Sequence, residues 1–209
     1  MLVNRPGGVT VHFIDANTSQ EQPMDAELVI GADGVNSTVR RLLNAPVAQK
    51  YAGYIVLRGT LPATSVSAET LQPFSNRLVF NFLRPTYFVC YVIPPENGST
   101  DPNHRLLNWV WYYNVADKSD GIGVFTDMIL PRISPPLREL LQKPPNLFVT
   151  KIRDSMCTRT SFYHDKILLV SDAFTTLRPH TGAATEQAAY HSNTLETVDL
   201  SSDTTWIGL

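Results

Sequence analysis

Apolar and polar positions divide the chain into strand-like and helix-like segments. Leu28, Val29 and Ile30 form a short unbroken apolar run that ends in Gly31-Ala32-Asp33-Gly34, and a helical pattern carrying Arg40 and Arg41 follows. Such a run reads as a strand buried on both faces, then a tight turn and a helix. Gly31 and Gly34 permit backbone angles closed to other residues, and Ser37 is placed to cap the helix, which fades at Asn44-Ala45-Pro46. Upstream, Val9, Val11 and Phe13 alternate onto one face, and a polar stretch from Asp15 to Pro23 separates them from the strand at Glu27. The pattern predicts a hairpin-like pair whose apolar face needs a sheet to lie against, one that a segment ahead of the chain would supply.

Gly53 to Leu61, Leu78 to Phe82, Tyr87 to Val92 and Leu106 to Val115 are strand-like runs between turn-rich segments such as Pro94 to Gly98. They predict a four-stranded, largely antiparallel sheet. Along the last run, Leu107, Trp109, Trp111 and Tyr113 share one face and Asn108, Val110, Tyr112 and Asn114 the other. The aromatic face has two readings, a layer of ordinary core or a wall over a flat ring. Short helices or turns are predicted at Asp127 to Leu130 and Pro136 to Gln142, with a break at Pro144-Pro145. Lys166 to Val170 is a second strand that leads into an Asp-containing turn, and a helical pattern runs from Glu186 to Glu196. Ile167 to Val170 should rejoin the sheet that holds Val29 and Ile30. Asp33 and Asp172 would then lie at one sheet edge, where open α/β sheets bind ligands. The expected organisation is a mixed α/β layer from residues 1–52 and 152–209, with an antiparallel sheet from 53–151.

At 209 residues, 43% hydrophobic and 17% charged, the chain can bury a sizeable core, and general disorder is excluded. A net charge of −2 with scattered lysines and arginines offers no electrostatic footprint for nucleic acid or an anionic membrane. Cys90 and Cys157 suggest buried thiols in a reducing compartment rather than disulfides. His12, His104, His164 and His191 form no ligand spacing, so no metal is expected. No run approaches a membrane span, and the beginning of the chain lacks an apolar core segment. A soluble cytoplasmic protein acting on a small molecule is the expectation.

Two stretches carry a family resemblance. Gly31-Ala32-Asp33-Gly34-Val35-Asn36-Ser37-Thr38-Val39-Arg40 matches, at every defined position, the Gly-x-Asp-Gly-x-x-Ser-x-Val-Arg segment of the flavoprotein aromatic hydroxylases. Ser171-Asp172-Ala173 resembles their later Gly-Asp-Ala segment, with Ser171 in place of the usual glycine. Gly53 to Thr60, Leu107 to Tyr112 and Arg178-Pro179-His180 look most like the 2,6-dihydroxypyridine hydroxylase branch. The family's opening Gly-x-Gly-x-x-Gly does not occur in these residues, nor does its acidic ribose-binding partner. The resemblance therefore implies part of a flavin hydroxylase. Its fold would be α/β (α+β), a partial FAD-binding Rossmann-like layer with an antiparallel-sheet substrate-binding domain.

The resemblance also implies FAD as cofactor and NAD(P)H as co-substrate. Molecular oxygen and a small, electron-rich hydroxylated aromatic ring would be the reactants, and an oligomer is compatible with it. Asp172 would bind ribityl or ribose hydroxyls. Gly31, Asp33, Gly34 and Arg40 would lie near the pyrophosphate, while Pro179, Thr181, Gly182 and Ala183 would approach the flavin at a helix end. Arg58, His180 and Tyr113 are the candidates for orienting the ring and ionising its hydroxyl. Each residue also has a plainer reading: a turn or capping Asp172, a solvated helix-face Arg40, a salt-bridging Arg58, a turn His180. Two other functions stay open, a flavin epoxidase or reductase and a non-catalytic binding module that keeps the fold without cofactor.

Overall fold

Alternation in the first thirty residues produces a three-stranded antiparallel sheet in the order β1-β2-β3, from Leu2–Arg5 (β1), Gly8–Ile14 (β2) and Glu21–Ala26 (β3). The partner of β2 is thus formed largely from the polar stretch. Asp15 closes the turn by accepting from the backbone N–H groups of Asn17 and Thr18, and Val9 pairs with Ala26 at the far end. The structure here is a computed structural model that describes residues 1–83, 86–95, 97–99, 101–116, 133–143, 147–179 and 182–197. The predicted helix at Asp127 to Leu130 and the Pro144-Pro145 break lie outside the described residues, as do His180 and Thr181.

The chain divides into two units, Met1–Lys50 with Arg153–Leu209, and Tyr51–Ile152. Two strands, Val47–Pro62 (β5) and Phe148–Cys157 (β9), carry it from one to the other. β5 starts well before the predicted Gly53, which takes a left-handed φ of 88° inside it.

In the first unit, the apolar run at Val29–Gly31 (β4) leaves the hairpin and joins a second sheet. There it pairs in parallel with Ile167–Leu169 (β11), whose other edge carries Ser161–Phe162 (β10). Val9 and Val11 are buried in one cluster with Val29, Val39, Phe162, Ile167 and Leu169. The apolar face of β2 thus finds cover inside the unit, contrary to the expectation that a preceding segment must supply it. Helix α1 (Thr38–Leu42) follows β4, and Ser37 Oγ caps it as predicted by accepting from Arg40 N at 2.9 Å. Asn44, with φ of 48°, then turns the chain out of the helix.

The expected four strands run antiparallel in the order β5-β8-β7-β6, with Val79–Leu83 (β6), Thr86–Ile93 (β7) and Leu106–Asn114 (β8), but the sheet has six strands, because β9 and then Thr175–Thr176 (β12) extend it beyond β5. Helix α2 (Ala68–Leu71) and helix α3 (Pro135–Gln142) accompany it. Glu139 of α3 accepts from Ser67 N, Ser67 Oγ and Thr70 Oγ1 and also pairs with Lys143, which holds its carboxyl down to about 2. Leu107, Trp109 and Trp111 are fully buried with Phe88, Leu137 and Leu140, so this aromatic face is core. Cys90 and Cys157 are free and buried, as the sequence predicts.

The indole of Trp109 lies over Gly59, its directly paired neighbour. A Cβ at position 59 would stand 2.5 Å from Trp109 Cζ2 and 2.6 Å from Cε2. Gly59→Ala is therefore expected to destabilise the protein by about 1–3 kcal/mol through overpacking. Urea unfolding measures this, and an unchanged midpoint would show that the indole moves aside freely.

Candidate functional site

β4 and β11 run side by side in the same direction, with Ile167 opposite Val29, Leu168 opposite Ile30 and Leu169 opposite Gly31. Each strand ends in an Asp-bearing turn, so Asp33 and Asp172 emerge at the same sheet edge, as the apolar patterns predict. Gly31 is required by packing: a Cβ there would meet Leu169 Cδ2 at 2.9 Å and Val39 Cγ1 at 3.0 Å. Gly34 is required by conformation, with φ of 78°.

The two carboxylates do different work. Asp33 accepts from Ser37 Oγ at 2.5 Å and from the backbone N–H groups of Thr38 at 2.6 Å and Val39 at 3.0 Å. With Ser37 taking Arg40 N, the opening N–H groups of α1 are all bound within the chain. Burial raises the Asp33 carboxyl, but the donors from Ser37, Val39 and Thr38 outweigh it and hold the group below the usual carboxylate range. Asp172 sits in the short helix α4 (Ser171–Phe174), and its Oδ1 is buried without a hydrogen-bond partner among the described residues. An orphaned acceptor of this kind has room for a donor from a ligand hydroxyl, an ordered water or an ion.

Arg40 joins the turns. Its Nη1 donates to Ala173 O at 2.7 Å and Asp172 O at 3.3 Å, and its Nη2 donates to Val35 O at 2.5 Å. The guanidinium is a brace between two backbone segments rather than a solvated side chain on a helix face. From the other side, His191 Nδ1 accepts from Ser171 N at 2.8 Å. His191 belongs to helix α5 (Ala183–Thr197), and its partner is a backbone N–H twenty positions away, which no residue type in the sequence marks. Pro179 and Gly182 are exposed just before that helix, and Ala183 begins it. Arg178 is held by Asp154 through contacts of 2.9 to 3.2 Å.

In the second unit Arg58 and Tyr113 fall on opposite faces of the sheet. Tyr113 pairs with Ile55 on the core side, whereas Arg58 is exposed on the side of Tyr112 and Tyr87. On that side the rings of Tyr87 and Tyr112 stack at 4.4 Å and 12°, flanked by Tyr54 and Phe82. Burial pushes the Tyr87 phenol up, as do Tyr112 and Tyr54 beside it. Tyr112 is raised by burial as well, against the pull of the Arg58 guanidinium. The alternation of Tyr87, Val89 and Tyr91 along β7 is the sequence signal for this second aromatic face.

Residues 51–132 match the family described as FAD binding domain-like. Over 198 residues the chain is 30% identical to 2,6-dihydroxypyridine 3-monooxygenase of Paenarthrobacter nicotinovorans, covering 83% of this chain and 48% of that protein. It is related to the FAD-dependent aromatic-ring monooxygenases. A 96-residue match at 43% identity to 3-amino-4-hydroxybenzoate 2-monooxygenase of Streptomyces cremeus covers 46% of the chain and 22% of that enzyme. The solved structure of 2,6-dihydroxypyridine-3-hydroxylase from Arthrobacter nicotinovorans superposes with a TM-score of 0.71 at 27% identity, covering 93% of this chain and 53% of that one. The chain thus spans about half the length of 2,6-dihydroxypyridine 3-monooxygenase. Its mixed α/β architecture is of their kind, and the FAD binding domain-like match falls within the second unit.

Asp33 supplies stability that is complete above the unfolded carboxyl value of about 4 and is lost as pH falls through the lower folded value. Asp33→Ala is expected to cost about 1–2 kcal/mol at neutral pH, in the range of a lost helix cap. Thermal melts at pH 7 and pH 3 should show this gap narrowing in acid. An equal gap at both would mean that the ionised form contributes nothing.

Proposed function

We propose that the chain serves an FAD- and NAD(P)H-dependent monooxygenase that hydroxylates an electron-rich hydroxylated aromatic or pyridine ring in the cytoplasm. The observation that carries this reading is the buried, unpartnered Asp172 Oδ1 at the carboxyl ends of two parallel strands. Ribityl or ribose hydroxyls of FAD would donate to it. Bound FAD supplies the redox chemistry by which NAD(P)H and oxygen hydroxylate a ring.

The chain's own residues divide the remaining tasks. Asp172 binds cofactor hydroxyls, and Arg40 keeps its turn against the turn of Asp33. Asp33, its carboxylate committed to α1, shapes the edge rather than binding phosphate. Gly31 and Gly34 do the same through the backbone. Pro179, Gly182 and Ala183, with Thr181 between them, bring main chain to the cofactor at the start of α5. On the sheet of the second unit, Arg58 stabilises the oxyanion of an ionised ring hydroxyl. Tyr112, its phenol raised by burial, keeps its own proton to donate. Tyr112 takes the role that the sequence assigns to Tyr113, and His180, outside the described residues, keeps its expected role as a proton shuttle.

A second reading, a non-catalytic binding module, draws support from Asp33 and Arg40, both satisfied within the chain. Titrating FAD against the purified protein while following flavin absorbance and fluorescence separates the two. Weak binding is expected of the unsubstituted chain, because the Gly-rich segment on which the family rests FAD does not occur in these residues, and Asp172→Ala should weaken it further by roughly 10- to 100-fold, the worth of a charge-assisted hydrogen bond. Arg58→Ala should instead lower affinity for 2,6-dihydroxypyridine. A chain that takes up no flavin would favour the binding module, and full flavin affinity in Asp172→Ala would remove that residue from the site.

A further inference from the structure

Ser171 is the one residue of the Asp172 turn whose backbone is under strain. Its φ of 50° lies in the left-handed region, where a Cβ crowds the main chain. Such a conformation persists in a non-glycine residue only when its surroundings hold it. Three successive residues are held here. His191 Nδ1 takes the N–H of Ser171 at 2.8 Å, and Arg40 takes the carbonyls of Asp172 and Ala173. As the acceptor, Nδ1 carries no proton, so the imidazole is neutral with its proton on Nε2. The ring is also packed near Phe174, 6.2 Å between centroids, which fixes its approach to the turn. What the grip leaves over is the Asp172 carboxylate, with Oδ1 buried and unmatched.

We propose that His191 is a positioning residue: its Nδ1 clamps the left-handed Ser171 so that Asp172 stays presented at the end of β11. The clamp stands on the geometry of the turn, and only its effect on cofactor affinity rests on the flavin reading. Asparagine at 191 keeps an acceptor near the place of Nδ1, whereas phenylalanine keeps the ring and removes the acceptor. Glycine at 171 removes the strain that the clamp opposes.

The test uses the full chain with His191→Asn, His191→Phe, Ser171→Gly and the double variant Ser171→Gly/His191→Phe. Nitrogen NMR should detect scalar coupling across the N–H···N bond between Ser171 and His191, and the Ser171 amide should exchange faster in His191→Phe than in His191→Asn. In FAD titrations His191→Phe is expected to weaken binding about tenfold, the loss of one hydrogen bond, and His191→Asn to stay within about twofold. Adding Ser171→Gly to His191→Phe should recover most of the loss, which a general packing role for the ring does not predict. Absent coupling, unchanged amide exchange in His191→Phe, or failure of Ser171→Gly to rescue would each overturn the clamp. If the unsubstituted chain takes up no FAD, the flavin reading fails, and coupling and exchange decide the clamp by themselves.

Discussion

Parallel pairing of Val29–Gly31 with Ile167–Leu169 ties segments from opposite ends of the chain, and most of the first unit follows from it. Only a strand edge that accepts no side chain at its last residue lets α1 and Leu169 close over it, which is why Gly31 stands there. Both strands end level with each other, so both Asp turns leave the sheet on the same side. Arg40 can then reach from one turn to the carbonyls of the next. A long, always-charged guanidinium with several donors suits this bridging of backbone acceptors better than a point-charge ammonium.

The two carboxylates at that edge show how similar motifs come to different ends. Asp33 meets three donors supplied by the residues immediately after it, so its charge is spent on the start of α1. Asp172 follows a strained residue and retains an unmatched buried oxygen. A buried acceptor without a donor is costly, and a ligand that supplies one recovers the difference. The same logic applies on the second unit's sheet. Burial keeps the Tyr87 and Tyr112 phenols protonated, and the Arg58 guanidinium stands on the same face.

Similarity to 2,6-dihydroxypyridine 3-monooxygenase over about half of that enzyme's length gives these local features a common setting. The division of the chain separates two kinds of surface. One unit offers hydrogen-bonding backbone at a parallel strand end. The other offers flat rings on an antiparallel sheet.

By itself the sequence determined the features that short-range periodicity and turn chemistry encode. The apolar run before Asp33, the cap by Ser37, the alternation along β8 and the rejoining strand at Ile167 could all be read from neighbouring residues. So could the shared edge of the two Asp turns, since both turns follow apolar strands and precede helices. Other features only the tertiary structure decided. Alternation assigned Trp109 and Tyr112 to different faces but could not say which face would be covered, because that depends on where α3 packs. The polar stretch from Glu21 to Ala26 became a strand through register with β2, against its composition. Arg40 bracing the Asp172 turn and His191 holding Ser171 are contacts between residues remote in sequence. Their partners are backbone groups, which every residue carries alike, so no residue type in the sequence marks them.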